Sequence, residues 1–188
     1  MIDRRDAIAE ILKDRADDML VVTGLGSPTY DVAAAGDTGR NFYLWGAMGG
    51  AAAMGLGLAQ ARPGSRVLVI TGDGEMLMGL GALATIGSKQ PANLAVLVID
   101  NEAFGETGGQ ASHTGMTTNL AAVALACGFR QVLSVRKRYE IGALKALVLA
   151  GKGPVMGVLK ASSGELKRVL PERDGHAIRS RFKAAALG

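Results

Sequence analysis

Two polar motifs, each placed just after a short apolar run, carry the chemistry in the middle of this sequence. Gly72-Asp73-Gly74 follows the run Val67–Ile70, and Asp100-Asn101 follows the run Leu94–Ile99. Both runs are short, rich in β-branched residues and bounded by glycine or proline, which is typical of buried strands. Apolar residues at helical spacing in Met76–Ser88 predict a helix between them, so the two strands should be parallel neighbours. Because the carboxyl ends of such strands meet at one edge of the sheet, we expect the two motifs to lie close together.

These two strand ends offer oxygen ligands and backbone N–H groups. A carboxylate and an amide oxygen suit Mg²⁺, which completes its octahedron with phosphate oxygens and water. The glycines on either side of Asp73 allow the backbone to approach a ligand closely. A helix that begins near Glu75 directs free N–H groups at the same edge, where phosphate binds readily. The local chemistry therefore predicts a divalent metal and a diphosphate between the two strand ends.

The spacing of the two motifs has a known counterpart. GDG followed after 25 residues by Asp-Asn resembles the diphosphate and metal motif of thiamine diphosphate (TPP) enzymes, usually GDG and then NN. The resemblance implies that TPP and Mg²⁺ bind here, with the metal held by Asp73, Asn101 and the main-chain carbonyl of Ala103. Asp100 replaces a common asparagine beside the metal ligand and not at it. Alternatively, the GDG is an ordinary turn after a core strand. The other TPP contacts that the resemblance implies in this stretch are Gly72, Gly74, Glu75, Gly105 and Thr107.

A second motif lies upstream in the segment Gly46-Ala47-Met48-Gly49-Gly50. It resembles the G-x-MG segment of decarboxylase-type TPP enzymes, in which the methionine enforces the bent shape of the cofactor. The resemblance assigns that role to Met48, and it assigns to Gly46 a carbonyl that accepts a hydrogen bond from the aminopyrimidine amine. Alternatively, Gly46–Ala61 is a helix of small residues whose glycines allow close packing, and both interpretations can hold together.

Two further loops leave the same edge of the predicted sheet. Gly26 and Ser27 follow the first strand and are candidates for contacts to the diphosphate, although a plain turn is an equally good interpretation. The 18 residues Glu102–Asn119 show little periodicity, and so long a connection is usually a functional loop or lid. We expect this loop to lie across the cofactor. Its polar residues are candidate contacts to TPP or substrate, or else solvated: Glu106, Thr107, Gln110 and His113.

The composition limits the class of protein. Of 188 residues, 48% are hydrophobic and 4% aromatic, and the net charge is +4. We expect one α/β domain with a small-aliphatic core, and no nucleic-acid surface, because no basic patch is interleaved with aromatic residues. The single cysteine, Cys127, excludes an internal disulfide, and its apolar surroundings indicate a core residue. With no evident secretory leader or membrane-spanning run, we expect a soluble, cytoplasmic protein.

Strands and helices alternate along the chain. Besides the two strands above, strands are predicted at Met19–Val22, Phe42–Leu44, Gln131–Val135 and Val155–Leu159. Besides the helix above, helices are predicted after an N-cap at Asp3, after the Met48 segment as far as Arg62-Pro63-Gly64, at Leu120–Cys127 and at Tyr139–Ala150. We interpret Asp31–Asn41 as a connection. This alternation predicts an α/β fold with a three-layer, doubly wound and mostly parallel sheet. Residues 1–188 form one domain, which by resemblance is the diphosphate-binding (PP-type) domain of TPP enzymes.

The last part of the chain is basic. Residues 166–188 form a basic C-terminal arm or helix, whose charges are either solvated or packed on a partner subunit or near an acidic substrate. The basic residues are Lys167, Arg168, Arg173, Arg179, Arg181 and Lys183.

The family resemblance also implies a partner. In TPP enzymes a glutamate from a separate pyrimidine-binding domain holds N1′ of the aminopyrimidine. The resemblance covers the diphosphate-binding domain over nearly the whole chain, and no glutamate here has the context of that residue, including Glu10, Glu75 and Glu102. We therefore expect no catalytic residue in this chain, an α subunit that carries the pyrimidine-binding domain, and a hetero-oligomer that acts on a small 2-oxo acid.

Within the TPP enzymes, three stretches are most similar to the sulfopyruvate decarboxylase β subunit and phosphonopyruvate decarboxylase group: GDGEMLMGLGALATI, DNEAFGETGGQ and the ending with Arg181-Phe182. The resemblance implies conversion of 3-sulfopyruvate to sulfoacetaldehyde and CO₂. Alternatives are a subunit of a phosphonopyruvate decarboxylase, an acetolactate synthase-like enzyme or a 2-oxo acid oxidoreductase. A non-catalytic TPP- or nucleotide-binding module is a further alternative of another class.

Overall fold

Six parallel strands form the central sheet of the computed structural model, which describes residues 2–164 and 166–187. The strands of this sheet and of a small hairpin are β1 (Leu20–Thr23), β2 (Asn41–Tyr43), β3 (Val67–Gly72), β4 (Leu94–Asp100), β5 (Ala103–Phe104), β6 (Gln110–Ala111), β7 (Gln131–Val135) and β8 (Val155–Lys160). The order in the sheet is β2-β1-β3-β4-β8-β7, while β5 and β6 pair antiparallel. The parallel, doubly wound sheet confirms the predicted fold class.

Eight α-helices pack on the sheet or at its edges. They are α1 (Arg4–Leu12), α2 (Ser27–Ala35), α3 (Ala51–Ala61), α4 (Asp73–Met78), α5 (Gly81–Lys89), α6 (Leu120–Ala126), α7 (Ile141–Ala150) and α8 (Gly175–Leu187). Residues from α1, α2 and α7 join one core cluster, residues from α3, α4, α5 and α6 join a second, and α8 contributes to both. No helix in the described part of the chain is long and apolar enough to cross a membrane.

The two central strands explain why the sheet divides the core into two halves. All seven residues of β4 are buried, as are the first five of β3. Successive side chains of a strand point to opposite faces, so Leu68 and Ile70 enter the first cluster while Val67 and Val69 enter the second. Gly72 pairs with Ile99 at the last step of the β3–β4 ladder. The GDG and Asp-Asn motifs therefore emerge side by side, as the sequence predicts.

Three local predictions are wrong. Met76–Ser88 is not one helix, because α4 ends at Met78 and α5 begins at Gly81. The break allows the backbone of the Met48 segment to approach, since a Cβ at Gly79 would lie 2.1 Å from the carbonyl oxygen of Gly49. Asp31–Asn41 is not a plain connection, because α2 runs to Ala35 and buries Val32. The predicted loop Glu102–Asn119 contains the β5–β6 hairpin.

The C-terminal helix α8 packs against the edge strand β2. The ring of Phe182, which is buried, meets Phe42 edge-to-face with centroids 5.3 Å apart. Both Nη atoms of Arg181 contact the carboxylate of Asp37, at 2.7 and 2.9 Å. Part of the basic charge of this segment is thus paired within the chain. The last residue of the predicted arm, Gly188, lies outside the described residues.

Candidate functional site

The GDG motif forms the junction between β3 and α4. Gly72 is the N-cap residue in an extended conformation, and α4 begins at Asp73, two residues before the predicted start. Asp73 is 1% exposed, and its Oδ2 accepts hydrogen bonds from the hydroxyls of Ser112 and Thr114. Burial raises the pKa of the Asp73 carboxyl, and the bond from Ser112 opposes this. A buried carboxylate fixed by hydroxyl groups is a suitable ligand for a cation.

The Asp-Asn motif lies on the adjacent strand end. Oδ1 of Asn101 accepts the N–H of Ala103 at 3.1 Å, which turns the chain out of β4. Asp100 is buried, and its Oδ2 pairs with Nζ of Lys160 at 2.7 Å. Burial alone would lower the pKa of Lys160, but its hydrogen bonds to Asp100 and Glu102 outweigh that effect and raise it. The carboxylate that replaces the family's usual asparagine is therefore neutralised within the fold.

Thr114 connects the two motifs. Its hydroxyl lies 3.0 Å from Oδ2 of Asp73 and 2.8 Å from Oδ1 of Asp100. Sequence reasoning did not identify Ser112, Thr114 or Lys160 as part of the site. Ser112 and Thr114 come from the loop that was expected to cover the cofactor, and Lys160 comes from the end of β8. Their roles depend on contacts between distant segments, which no local motif signals.

A cavity of about 300 Å³ opens at this edge of the sheet. Ten of the twelve residues predicted to contact TPP line it: Ser27, Met48, Gly72, Asp73, Gly74, Glu75, Asn101, Ala103, Gly105 and Thr107. The other two, Gly26 and Gly46, are not among its lining residues. Gly26 precedes Ser27 with φ = 85°, and Gly46 lies two residues before Met48 with φ = 73°. The structure thus brings four separate segments of the sequence around one cavity.

Glu75 lies on the inner wall of the cavity. Its Oε2 accepts the hydroxyl of Thr71 at 2.7 Å, and the residue is 4% exposed. Burial raises the pKa of Glu75, and the hydrogen bond from Thr71 opposes the shift. A Cβ at Gly24 would fall 1.4 Å from Oε2 of Glu75, so only glycine fits there. Glu75 therefore packs closely against the β1–α2 loop at the cavity, and its buried Oε1 accepts no hydrogen bond within the described part of the chain.

The four polar residues predicted as contacts in the loop Glu102–Asn119 lie in different surroundings. Thr107 lines the cavity, Gln110 is exposed on the hairpin, and His113 packs edge-on against Phe104 with centroids 6.1 Å apart. Glu106 also lines the cavity and lies 3.8 Å from Arg168. Of these four residues, Glu106 and Thr107 line the cavity, whereas Gln110 and His113 do not.

The donor set at the cavity fits a metal that is shared with a diphosphate. Asp73, Asn101 and the carbonyl of Ala103 supply only oxygen, as Mg²⁺ requires. Among the described residues, no group of three or more His, Cys, Asp or Glu side chains could hold a metal alone. A metal here would therefore need phosphate oxygens or water for the rest of its shell. A Cβ at Gly72 or Gly105 would meet nothing within 4 Å, so these cavity-lining positions leave room for a ligand.

Comparison with known proteins finds similarity to thiamine pyrophosphate enzymes, by family profile and by individual sequences. The profile of the family described as "Thiamine pyrophosphate enzyme, C-terminal TPP binding domain" matches residues 26–157. The sulfopyruvate decarboxylase subunit beta of Methanocaldococcus jannaschii is 43% identical over 66% of each chain. That of Methanothermobacter thermautotrophicus is 34% identical over 97% of this chain and 94% of its own.

Other similar proteins are longer. The phosphonopyruvate decarboxylase of Streptomyces viridochromogenes is 38% identical over 85% of this chain, which spans only 40% of that protein. A solved structure of a thiamin diphosphate-dependent enzyme from Mycobacterium smegmatis superposes with a TM-score of 0.69 and 18% identity. It covers 87% of this chain and 35% of that one. At this identity the superposition supports the fold alone.

Proposed function

The chain belongs to the thiamine pyrophosphate enzyme family, and we propose that it is the TPP- and Mg²⁺-binding subunit of a 2-oxo acid decarboxylase. The substrate that we propose is 3-sulfopyruvate, which would be converted to sulfoacetaldehyde and CO₂. The observation that carries the proposal is the gathering of ten predicted TPP contacts around one cavity. The β subunits of sulfopyruvate decarboxylase, which this chain matches at 34–43% identity, support the choice of substrate.

Several of the predicted contacts have a stated role in this proposal. Asp73, Asn101 and the carbonyl of Ala103 would hold Mg²⁺, and Ser112 and Thr114 orient the Asp73 carboxylate toward it. The thiamine ring, when bound, supplies the electron sink for decarboxylation. Met48 would support the bent shape of the cofactor from beneath, and the carbonyl of Gly46 would accept the aminopyrimidine amine. Gly26 and Ser27 would contribute to the diphosphate site from the other side.

We further propose that the glutamate for N1′ comes from a partner subunit with a pyrimidine-binding domain. The carboxylates that line the cavity in the described part of the chain are Asp73, Glu75 and Glu106. Asp73 is assigned to the metal, Glu106 faces Arg168, and Glu75 directly follows the GDG motif, where its Oε2 accepts a hydrogen bond from Thr71. Three of the matched sulfopyruvate decarboxylase chains are named as beta subunits, which supports a two-subunit enzyme.

A second candidate substrate is phosphonopyruvate. The match to a phosphonopyruvate decarboxylase over 160 residues favours it. Both substrates are three-carbon 2-oxo acids with an anionic group at C3, so they would need similar cofactor chemistry and different recognition of the C3 group. Substrate choice would then depend on residues around the cavity mouth and on the partner.

The proposed substrate is tested by comparing the turnover of several 2-oxo acids by the enzyme assembled from this chain and its partner. We expect CO₂ release from 3-sulfopyruvate in the presence of TPP and Mg²⁺, and kcat/KM values for phosphonopyruvate and pyruvate that are at least tenfold lower. A preference for phosphonopyruvate would replace the proposed substrate and keep the decarboxylase. If TPP binds and no 2-oxo acid is turned over, the chain is a TPP-binding module and not a decarboxylase subunit.

A further inference from the structure

A cluster of two arginines and one aspartate adjoins the cavity and is not used by the family motifs. Arg4 and Arg5 open α1, and Asp31 lies in α2. Nε of Arg4 is 2.7 Å from Oδ2 of Asp31, and Nε of Arg5 is 2.9 Å from Oδ1. The side chain of Asp31 is fully buried, and those of Arg4 and Arg5 are 6% and 24% exposed. This Arg4–Arg5–Asp31 cluster brings two cations to one buried anion.

The cluster keeps an unbalanced positive charge. Asp31 is the only carboxylate within 4.0 Å of either guanidinium in the part of the chain that the structure describes. One carboxylate can neutralise one guanidinium, so the cluster carries a net charge of about +1. Both arginines also lie in the first turn of a helix, where the helix dipole disfavours cations. Burial of an uncompensated charge is costly, and an anionic ligand beside the cluster would offset that cost.

Only one of the two arginines reaches the cavity. Arg4 lines the cavity together with Ser27, Asp73 and Asn101, whereas Arg5 directs Nη2 at the carbonyl of Lys167, 2.8 Å away. Among the described residues that line the cavity, Arg4 is the only cationic one, and Asp73, Glu75 and Glu106 are acidic. Its position is fixed by a hydrogen bond of 2.7 Å from Nη1 to the carbonyl of Gly164.

We propose that Arg4 is a ligand of the cofactor's diphosphate. A metal held by a single carboxylate leaves much of the charge of a diphosphate unbalanced, and the buried guanidinium of Arg4 supplies a further positive charge at the same cavity. Guanidinium groups bind phosphate oxygens in paired, charge-assisted hydrogen bonds. Asp31 and Gly164 then act as positioning groups that hold the guanidinium at the cavity. This inference rests on the proposed function, since it concerns the same cofactor.

The two arginines form a matched pair for the test. Arg4→Met and Arg5→Met each remove one ion pair to Asp31, but only the first removes a group from the cavity. Calorimetric titration of the full chain with TPP, and separately with inorganic pyrophosphate, is done in Mg²⁺. We expect Arg4→Met to weaken both ligands about 10- to 100-fold, the range for a lost hydrogen bond between charged groups. Arg5→Met should weaken them less than about threefold, and Arg4→Lys should recover part of the affinity.

Several results would overturn the inference. Equal weakening by Arg4→Met and Arg5→Met, together with equal shifts of the urea unfolding midpoint, would mean that the cluster only stabilises the fold. Unchanged TPP affinity with a raised KM for the 2-oxo acid would assign Arg4 to the substrate instead. The unmutated chain could bind pyrophosphate in an Arg4-dependent way and yet not bind TPP. The proposed cofactor would then be wrong, whereas the proposed anion site at Arg4 would stand. If the unmutated chain bound neither TPP nor pyrophosphate, both the proposed cofactor and the proposed anion site would be wrong.

Discussion

At the scale of single residues, Asp73 and Asp100 are two buried carboxylates with different partners. The side-chain partners of Asp73 in the described part of the chain are two hydroxyl groups, whereas Asp100 also pairs with the ammonium group of Lys160. Asp73 is thus available to a cation and Asp100 is already neutralised. The chemical difference between two neighbouring acids is set by their surroundings and not by their residue type.

The first prediction concerns the metal. Asp73→Ala removes the charged ligand from a site that also meets a diphosphate, so TPP affinity in Mg²⁺ should fall by at least about 100-fold. Addition of EDTA to the unmutated chain should produce a comparable loss. Asp100→Asn, which restores the family's usual residue, is the control and should retain metal-dependent binding. Calorimetry that finds the same TPP affinity for Asp73→Ala and the unmutated chain would contradict the metal assignment.

The second prediction separates support of the cofactor from core packing. Met48 is 37% exposed, so Met48→Ala should cost less than the roughly 2–5 kcal/mol of a fully buried methionine. If Met48 shapes the cofactor, kcat of the assembled enzyme should nevertheless fall by about tenfold or more. Thermal unfolding and steady-state kinetics on the same preparation test this. A loss of kcat that is fully explained by a smaller folded fraction would make Met48 a packing residue.

The sequence was sufficient for part of the site. Asp73 and Asn101 could be identified because each follows a strand, and strand ends are fixed by apolar runs. Ser112, Thr114, Lys160 and Arg4 could not, because they reach the same cavity from the covering loop, the end of β8 and the start of α1. Hydrogen bonds between segments that are distant in sequence leave no periodic signal.

At the scale of elements, α3 distinguishes two glycines that look alike in the sequence. Both lie inside the helix and both were expected to allow close packing. A Cβ at Gly55 would lie 2.2 Å from Cγ2 of Val69 on the sheet, whereas a Cβ at Gly57 would meet nothing within 4 Å. Only Gly55 is needed for helix–sheet contact, and this difference depends on the rotation of the helix.

The third prediction follows from this pair. Gly57→Ala should stabilise the protein by about 0.5–1 kcal/mol, because alanine favours the helical backbone and has free space here. Gly55→Ala should destabilise it by about 1–3 kcal/mol through overpacking against Val69. Urea unfolding of the two single variants measures both values. Equal effects from the two substitutions would show that the rotation of α3 differs from the one described.

The fourth prediction concerns the attachment of α8. Burial alone would raise the pKa of Asp37, but hydrogen bonds from Arg181 and Tyr43 outweigh it and lower the pKa below its usual 3.8. The ionised carboxylate is the form that holds Arg181, so this contribution is complete above pH ~4 and disappears as the pH falls through the lowered pKa. Arg181→Met should therefore destabilise by about 1 kcal/mol at pH 7 and by less at pH 3.

Phe182→Ala is the comparison for that experiment. Phe182 is buried against β2 and carries no charge, so its removal should cost about 3–5 kcal/mol at both pH values. Urea unfolding of the unmutated protein and of the two variants, at pH 7 and at pH 3, gives the four changes in the free energy of unfolding. If the effect of Arg181→Met were the same at both pH values, the ion pair to Asp37 would not be the source of the stability.

At the scale of the whole molecule, the fold follows from alternation of strand and helix patterns. The short apolar runs locate the central strands, and parallel pairing then determines the edge at which the motifs meet. The break between α4 and α5 could not be predicted, because Met76–Ser88 is continuously periodic and the break serves the approach of Gly49. Helix α2 was missed because its first two residues, Ser27 and Pro28, continue the glycine-containing loop after β1 and were interpreted as part of it.

The cavity side of the molecule exposes apolar side chains. Met78 is 62% and Met48 is 37% exposed, and both line the cavity. Exposed apolar groups beside a polar cavity are typical of protein interfaces. Leu125 on α6 is exposed to a similar degree, at 55%, but is not among the residues that line this cavity. Substitutions of Met78 and Leu125 therefore offer a matched test of where a partner binds.

The fifth prediction is that the pyrimidine-domain subunit covers the Met78 side. Met78→Lys should weaken the complex by at least tenfold in analytical ultracentrifugation, because a charge would be buried at the interface. Leu125→Lys should leave complex formation unchanged.

The chain without its partner should release CO₂ from 3-sulfopyruvate no faster than TPP and Mg²⁺ in buffer. The partner should restore turnover and tighten TPP binding. Robust turnover by this chain free of any partner would disprove the two-subunit proposal, whereas equal weakening by both lysine variants would move the interface away from the cavity.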